Sequence, residues 1–309
     1  LPLRVNVARH DSDLALLGAD NPGAVRADQA GFAGGREHAL AWRICQSSTL
    51  TKLIVTGNNP GWPAGVVTRL SNDIATWVHV AVDEAVDLVV VGPEAPLSDG
   101  LADALRIQGI PCFGPEQAAA QLETSKGFAK DVMAAAGVAT AAYLHANSED
   151  ADSVERAKER CRQGAVVIKA DGLAAGKGVF VCPTPEEALD ALNEVWSGRF
   201  GAAANNIILE DMLTGPEVSL FALSDGKNTV ALPSSQDHKT LLNGNKGPNT
   251  GGMGAISPVP HVTPEFMEKV KNQVVIPTIR GIQRDGIDYR GFLFFGEEQE
   301  EKRRRVALE

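Results

Sequence analysis

The sequence predicts an alternating α/β protein of about two domains. Three observations carry this: the chain has 309 residues, more than one ordinary domain needs; its N-terminal half contains apolar runs that stop at polar, glycine-rich turns; and beyond Pro115 the pattern changes to helix, then paired strands, then helix. A hydrophobic content of 44% with 22% charged residues fits a globular chain with a sizeable core.

In the first domain, Lys52-Leu-Ile-Val55 runs into Thr56-Gly-Asn-Asn-Pro-Gly61, and Asp87-Leu-Val-Val-Val91 runs into Gly92-Pro-Glu94. Apolar strands that end in such turns suit an open parallel sheet, which collects ligands at the carboxyl ends of its strands. Residues 74–85 and 101–108 read as covering helices and 110–113 as a last short strand, so a Rossmann-like domain is expected. In the second domain, residues 125–136 form a helix with Phe128, Val132 and Met133 on one side and Gly137 as its stop. Thr184-Pro-Glu-Glu187 is a helix start in which Thr184 caps, Pro185 takes the first helical position and Glu187 completes a capping box. Residues 207–209 and 218–223 read as strands. A last long helix begins after Thr263-Pro264, and Pro277 is expected to kink or end it.

Composition excludes several function classes. A net charge of -10 argues against nucleic-acid binding, which needs a basic surface. Cys45, Cys112, Cys161 and Cys182 have neither CxxC nor paired spacing, so free thiols are expected rather than zinc or disulfides. No apolar run reaches the ~18 residues of a membrane span and no signal-peptide core is visible, so a cytoplasmic protein with no membrane partner is expected.

The stretch Val166-Val-Ile-Lys-Ala-Asp-Gly-Leu-Ala-Ala-Gly-Lys-Gly-Val-Phe-Val181 carries the chemistry. Two β-rich runs flank a glycine loop, as in a hairpin. Gly172, Gly176 and Gly178 let backbone N–H groups approach an anion, and Lys169 and Lys177 supply charge. A Walker P-loop is excluded, because it needs four residues between its glycines, a Ser or Thr after the lysine and a following helix. Taken alone, the loop is either an anion clamp or a glycine hairpin with solvated lysines. Downstream lie Ser235-Gln-Asp-His-Lys239 and Gly247-Pro-Asn-Thr-Gly-Gly-Met-Gly254, the second with too many glycines for packed core. It is either disordered or wrapped around something polar, and Asp237, His238 and Lys239 favour the latter.

Together with Gly34-Gly-Arg-Glu-His-Ala-Leu-Ala-Trp42, Val91-Gly-Pro-Glu-Ala-Pro-Leu97 and Ala120-Gln-Leu-Glu-Thr-Ser-Lys-Gly-Phe-Ala-Lys130, these motifs resemble the phosphoribosylamine-glycine ligase family of the ATP-grasp superfamily, over residues 33–296. The resemblance implies a Rossmann-like substrate domain at 33–118 and an ATP-grasp domain at 119–296, with a small lid subdomain at about 123–195. It implies ATP and magnesium as cofactors, glycine and 5-phosphoribosylamine as substrates, a glycyl phosphate intermediate and a place in purine biosynthesis. Lys126 and Lys169 match the phosphate-facing lysines, and the loop with Gly172, Gly176, Lys177 and Gly178 matches the lid. Glu210, Asp211 and Leu213 fall where the family reads adenine, largely through backbone groups, and Glu217 falls where a carboxylate grips ribose. Gly34, Gly35 and Arg36 at a helix start would hold the substrate phosphate. Asn58 and Glu94 would line the same pocket. Asp237 and Lys239, with Asn249, Thr250, Gly251 and Gly252, would meet the reacting amine and glycine. His38 and His238 read as hydrogen-bonding supports, since an amine attacking an acyl phosphate has little need of a strong base.

Both ends depart from the family pattern. Where the family has an apolar strand running into a glycine turn, this chain has Val25-Arg-Ala-Asp-Gln-Ala-Gly-Phe32, so residues 1–32 form an atypical segment without a central first strand. After Tyr289-Arg-Gly-Phe-Leu-Phe-Phe-Gly296, residues 297–309 read as an atypical charged tail, with no strand pattern in Glu297-Glu-Gln-Glu-Glu-Lys-Arg-Arg-Arg305. The family's magnesium-holding Glu and Asn have no counterpart, no metal ligand is assigned, and the family's C-terminal domain is expected to be missing. An inactive ATP-binding remnant or interaction protein is therefore the alternative to an active ligase. Another ATP-grasp ligase, such as a carboxylase subunit, fits Gln236-Asp-His-Lys239 and the Gly247 loop less well.

Overall fold

The computed structural model describes residues 12–17, 35–57, 59–69, 73–172, 178–199, 201, 204–213, 215–244, 246–250, 252–299 and 306–308. The chain divides into two compact units, Leu1–Ala120 with Tyr289–Gly291, and Gln121–Asp288 with Phe292–Glu309. Both are mixed α/β.

The first unit is built on a five-stranded parallel sheet in the order β3-β2-β1-β4-β5, made of β1 (Ser12–Leu17), β2 (Leu50–Thr56), β3 (Val67–Arg69), β4 (Leu88–Val91) and β5 (Cys112–Phe113). Its helices are α1 (Gly35–Ile44), α2 (Ile74–Asp83), α3 (Glu94–Ser98) and α4 (Leu101–Ile107), and α5 (Gln117–Thr124) crosses the boundary to the second unit. Successive side chains of a strand point to opposite faces, so each buried strand feeds two cores. Ile54, Val89 and Val91 pack with Trp77, Leu101 and Leu105 on one face. On the other, Leu53, Val55 and Val90 pack with Ala41 of α1. This is the expected Rossmann-like sheet.

One expectation is overturned. Residues 1–32 do supply a central strand: β1 pairs in parallel with β2 through Ala15↔Ile54 and with β4 through Ala15↔Val89. The strand is the short run Asp13-Leu-Ala-Leu-Leu17, well upstream of the position beside the glycine turn where the family pattern places it.

The second unit holds an antiparallel sheet in the order β6-β9-β7-β8, formed by β6 (Tyr143–Asn147), β7 (Val166–Ala170), β8 (Val179–Cys182) and β9 (Asn206–Asp211). Helices α7 (Ala151–Arg162) and α8 (Pro185–Glu194) cover one face, where Ala157, Cys161, Ala188 and Leu192 meet Val166, Ile168, Ile207 and Leu209. Helix α6 (Lys126–Ala135) starts at Ser125, whose hydroxyl accepts from the Phe128 N–H at 3.0 Å. Thr184 caps α8 by accepting from the Glu187 N–H at 3.3 Å.

A second sheet in this unit has the order β11-β10-β16-β17, from β10 (Glu217–Asp225), β11 (Thr229–Ala231), β16 (Arg290–Gln299) and β17 (Val306–Leu308). Two separate two-stranded sheets accompany it, β12 (Gln236–Asp237) with β15 (Ala255–Ile256) and β13 (Thr240–Leu242) with β14 (Lys246–Asn249). The expected strandless tail is corrected here, because β16 runs on through Glu297 to Gln299 and pairs with β17 by Glu298↔Ala307. Ladder hydrogen bonds need only the backbone, so a charged edge can still pair. The interruption expected at Pro277 is present. Helix α9 (Pro264–Val270) passes through a wide turn at Lys271–Val275 into α10 (Ile276–Arg284), with Pro277 in the first turn of α10, where its missing N–H costs little.

Cys112, Cys161 and Cys182 are buried free thiols and Cys45 is half-buried, as expected. No helix among the described residues is long and apolar enough to cross a membrane. Because β1 pairs on both sides, Ala15→Pro removes a ladder donor from the middle of the sheet. It is expected to lower the unfolding free energy by about 1–3 kcal/mol in a urea titration, the cost of an orphaned buried backbone group.

Candidate functional site

Strand β7 is buried along its whole length. Register explains how it presents a lysine: Lys169 lies opposite Ile208, and Val167 opposite Glu210. Lys169 and Glu210 therefore stand diagonally across one face, the face away from α7 and α8. The Lys169 ammonium donates to Glu210 Oε2 at 3.2 Å. A second ammonium, that of Lys130 from α6, lies 3.1 Å from the same oxygen. These are interior groups, with relative exposures of 2% for Lys130, 6% for Lys169 and 2% for Glu210. Lys130 also donates to Thr140 Oγ1 at 2.5 Å and sits 5.9 Å above the Tyr143 ring.

Lys126 completes the group. Its ammonium donates to the carbonyls of Ala170 and Gly172 at 3.1 and 3.2 Å. Burial pushes it below the ordinary lysine value, Asp171 opposes that shift, and the charge of Lys169 adds to it. Asp171 fixes where α6 begins, accepting from the Gly127 N–H at 3.2 Å and the Ser125 hydroxyl at 3.1 Å. Glycine at 127 leaves room for this, because a Cβ there would lie 2.8 Å from His145 Cε1 and 3.0 Å from Asp171 Oδ2, and these side-chain ends would have to shift. Three ammonium groups thus gather around one buried carboxylate and one capping aspartate.

The expected hairpin is present. β7 and β8 pair through Lys169↔Val179, and the Ala170 N–H donates to Gly178 O at 2.8 Å across its neck. Gly172 has φ +148°. Gly176 and Lys177 lie outside the described residues.

Glu210 and Asp211 extend β9 beyond the expected end of the strand, and neither belongs to a solvated turn. The Glu210 carboxylate faces inward to the lysines, while exposed Asp211 accepts from Arg160 at 2.6 Å. Leu213 is half-buried just beyond the strand.

A second group forms where β10 meets the glycine loop. Lys239 donates to Glu217 Oε1 at 2.5 Å, and Asp237 Oδ1 lies 3.9 Å from the same ammonium. Thr250 closes the loop onto the connection between β12 and β13, its N–H and hydroxyl donating to Lys239 O at 2.7 and 2.8 Å, while the Gly252 N–H donates to Thr250 Oγ1 at 3.1 Å. Asn249 pairs with Thr240 in β14. The described part of the loop is held by the backbone carbonyls of His238 and Lys239; Gly251 lies outside the described residues.

In the first unit, α3 begins at the carboxyl end of β4, and the start of α1 lies beside it. Arg36 bridges them, donating to Glu37 Oε1 at 2.9 Å and to Glu94 Oε1 at 2.7 Å. Burial pulls the guanidinium down, but the hydrogen bonds to Glu94 and Glu37 outweigh it and raise its pKa. For Glu94, burial acts upward and the Arg36 contact prevails, holding the carboxyl below its ordinary range. Gly35 is exposed at the helix start. Gly34 and Asn58 lie outside the described residues. His38 is a support, as expected: its Nε2 is 2.6 Å from Gly61 O and its ring stacks on Trp62 at 6.4 Å.

Two residues of these groups escaped the sequence reading, Lys130 and Glu37. Lys130 follows Lys126 by four positions and so shares its helix face, which was the one available signal. Glu37 is 4% exposed and packs against Gly92, where a Cβ would come within 2.5 Å of Glu37 Oε1.

Comparison with known proteins places these features in a family. Residues 32–123 match the model described as phosphoribosylglycinamide synthetase, N domain, and residues 124–301 match phosphoribosylglycinamide synthetase, ATP-grasp (A) domain. The chain is 49% identical over 267 residues to a phosphoribosylamine-glycine ligase of Agrobacterium fabrum, and 48% identical over 269 residues to that of Brucella melitensis. It spans about 62% of the length of the first of these relatives. Among solved structures, a phosphoribosylamine-glycine ligase from Thermotoga maritima superposes with a TM-score of 0.75 at 26% identity, covering 96% of this chain and 67% of that one. The biotin carboxylase domain of a Hydrogenobacter thermophilus 2-oxoglutarate carboxylase shares the fold, with a TM-score of 0.69 at 18% identity over 97% of this chain and 63% of that one.

Gly92→Ala is expected to push Glu37 off Arg36 and lower stability by about 1–3 kcal/mol, read as a fall in the urea midpoint.

Proposed function

The chain belongs to the phosphoribosylglycinamide synthetase family, and from that premise we propose that it joins glycine to 5-phosphoribosylamine with conversion of ATP to ADP and phosphate. The observation that carries this reading is the surplus of buried positive charge around Glu210. It suits a polyanion, and the ATP-grasp family model implies ATP.

The chemistry requires such a site. A carboxylate does not condense directly with an amine, because oxide is too poor a leaving group. Transfer of the γ-phosphoryl group to a glycine carboxylate oxygen gives an acyl phosphate. The amine nitrogen then attacks the carbonyl carbon, phosphate leaves with the carbon–oxygen electron pair, and the nitrogen loses a proton as the amide forms. All three reactants bring anionic groups, a triphosphate, a carboxylate and a sugar phosphate, so clustered cations and oriented amides are what the protein contributes.

In this reading Lys126 and Lys169 face the phosphates, and the loop of Gly172, Gly176, Lys177 and Gly178 covers them. Backbone groups of Glu210, Asp211 and Leu213 take the adenine edge, and Glu217 takes ribose hydroxyls. Asp237 and Lys239, with the loop 249–252, meet glycine and the amine. Gly34, Gly35, Arg36, Asn58 and Glu94 receive the phosphoribosyl group, with the N-terminus of α1 contributing free N–H groups and a positive dipole end. The ion pairs Lys239–Glu217 and Arg36–Glu94 support the assignment by holding charged groups in place until an anion or a hydroxyl competes for them. A magnesium ion is a different matter. Among the described residues no three His, Cys, Asp or Glu side chains gather as a metal-holding group, so no step is assigned to a metal held by this chain.

ADP release by the purified chain with ATP, magnesium, glycine and freshly generated phosphoribosylamine should require every component. Nucleotide binding without such turnover would instead identify an inactive member. Lys169→Ala is expected to weaken ATP binding by at least about tenfold, the loss of a charge-assisted contact worth about 1.5–3 kcal/mol. An unchanged affinity in calorimetric titration would remove Lys169 from the site.

A further inference from the structure

We propose that Lys130 is a positioning residue of this site, acting as a second counter-ion to Glu210 so that Lys169 can leave the carboxylate for an anionic ligand. This rests on the reading of Lys169 as nucleotide-facing.

Lys130 lies on α6, four residues after Lys126, a position that on most helices is solvated. Here it is buried with 2% exposure. Burying an ammonium is costly unless it is paired and hydrogen-bonded. Lys130 meets both conditions, with Glu210 Oε2 at 3.1 Å, Thr140 Oγ1 at 2.5 Å and the face of Tyr143 at 5.9 Å.

The way the carboxylate is shared gives this burial a consequence. Glu210 Oε2 receives both ammonium groups, at 3.1 and 3.2 Å, while its buried Oε1 has no hydrogen-bond partner. Among the described residues the carboxylate has no third cation at hydrogen-bonding distance, so if Lys169 turned toward a phosphate and Glu210 had lost Lys130, it would be left as a poorly compensated buried anion. That state is strongly disfavoured, so Lys169 would be held on Glu210 and ligand binding would have to break the pair. With Lys130 in place, Glu210 keeps a cation throughout. Lys130 thus acts on the ligand through Glu210 and Lys169, and it touches neither phosphate nor base.

The test is a double-mutant cycle on the full chain, with ADP affinity from calorimetry and thermal midpoints taken for the same samples. Lys130→Met should weaken ADP binding by about tenfold, whereas Lys130→Arg, which keeps the charge, should stay within about threefold of the parent. In a Glu210→Gln background, where no buried anion has to be compensated, Lys130→Met should change ADP affinity by less than about twofold. Should Lys130→Met fail to fold, Lys130→Gln, which keeps a donor for Thr140, takes its place in the same cycle. A lower melting temperature with unchanged affinity would make Lys130 purely structural and overturn the proposal. So would a loss of affinity equally large in the Glu210→Gln background. If the parent chain binds ADP and Lys169→Ala binds it equally well, the reading of Lys169 fails, and the proposal falls with it.

Discussion

The second unit depends on one carboxylate buried among lysines. Glu210 sits in a sheet interior with 2% exposure, next to two ammonium groups nearly as buried. Removing either kind of partner would leave uncompensated charge in a low-dielectric setting, a change that costs about 3–5 kcal/mol when a buried pair is broken. The neighbouring framework is consistent with that requirement. Asp171 sets the start of α6, Gly127 leaves room for the close approach of Asp171 and His145, and the β7–β9 register puts Lys169 and Glu210 on one face. Much of the local geometry therefore serves to keep a net positive charge dry and in position.

The first unit solves a similar problem with more exposed groups. Arg36 holds Glu37 and Glu94 at the starts of two helices that follow parallel strands, and Gly92 gives the buried carboxylate of Glu37 its space. Gly92 follows the end of β4 and leads into the start of α3, where Glu94 meets Arg36. Surface ion pairs of this kind stabilise a fold only slightly. Their value here is in orientation.

Much of this was legible in the sequence for identifiable reasons. Periodicity and turn chemistry found β2, β4, the β7–β8 hairpin and the capped starts of α6, α8 and α9, because those signals are local. Lys169 and Lys239 stand out in the sequence because one adjoins a glycine loop and the other lies in the compact run Asp237-His-Lys239, whereas Lys126 and Glu217 were singled out only by resemblance to the family. The failures were nonlocal. Strand β1 is only Ser12–Leu17, and its pairing partners are residues 50–56 and 88–91, so nothing nearby marks it as central. Lys130 looks like any helix lysine until the sheet beneath it is known. The charged end of β16 pairs through its backbone, which composition does not report.

The first unit is also discontinuous along the chain, since Tyr289–Gly291 belong to it although the rest ends at Ala120. Tyr289 is buried, and Gly291 lies where a Cβ would come within 3.2 Å of Pro115. During synthesis at about 5–20 residues per second, this unit waits on the order of ten seconds or more for its last piece, while the intervening helices and sheets emerge. Its final packing is thus a long-range, late step.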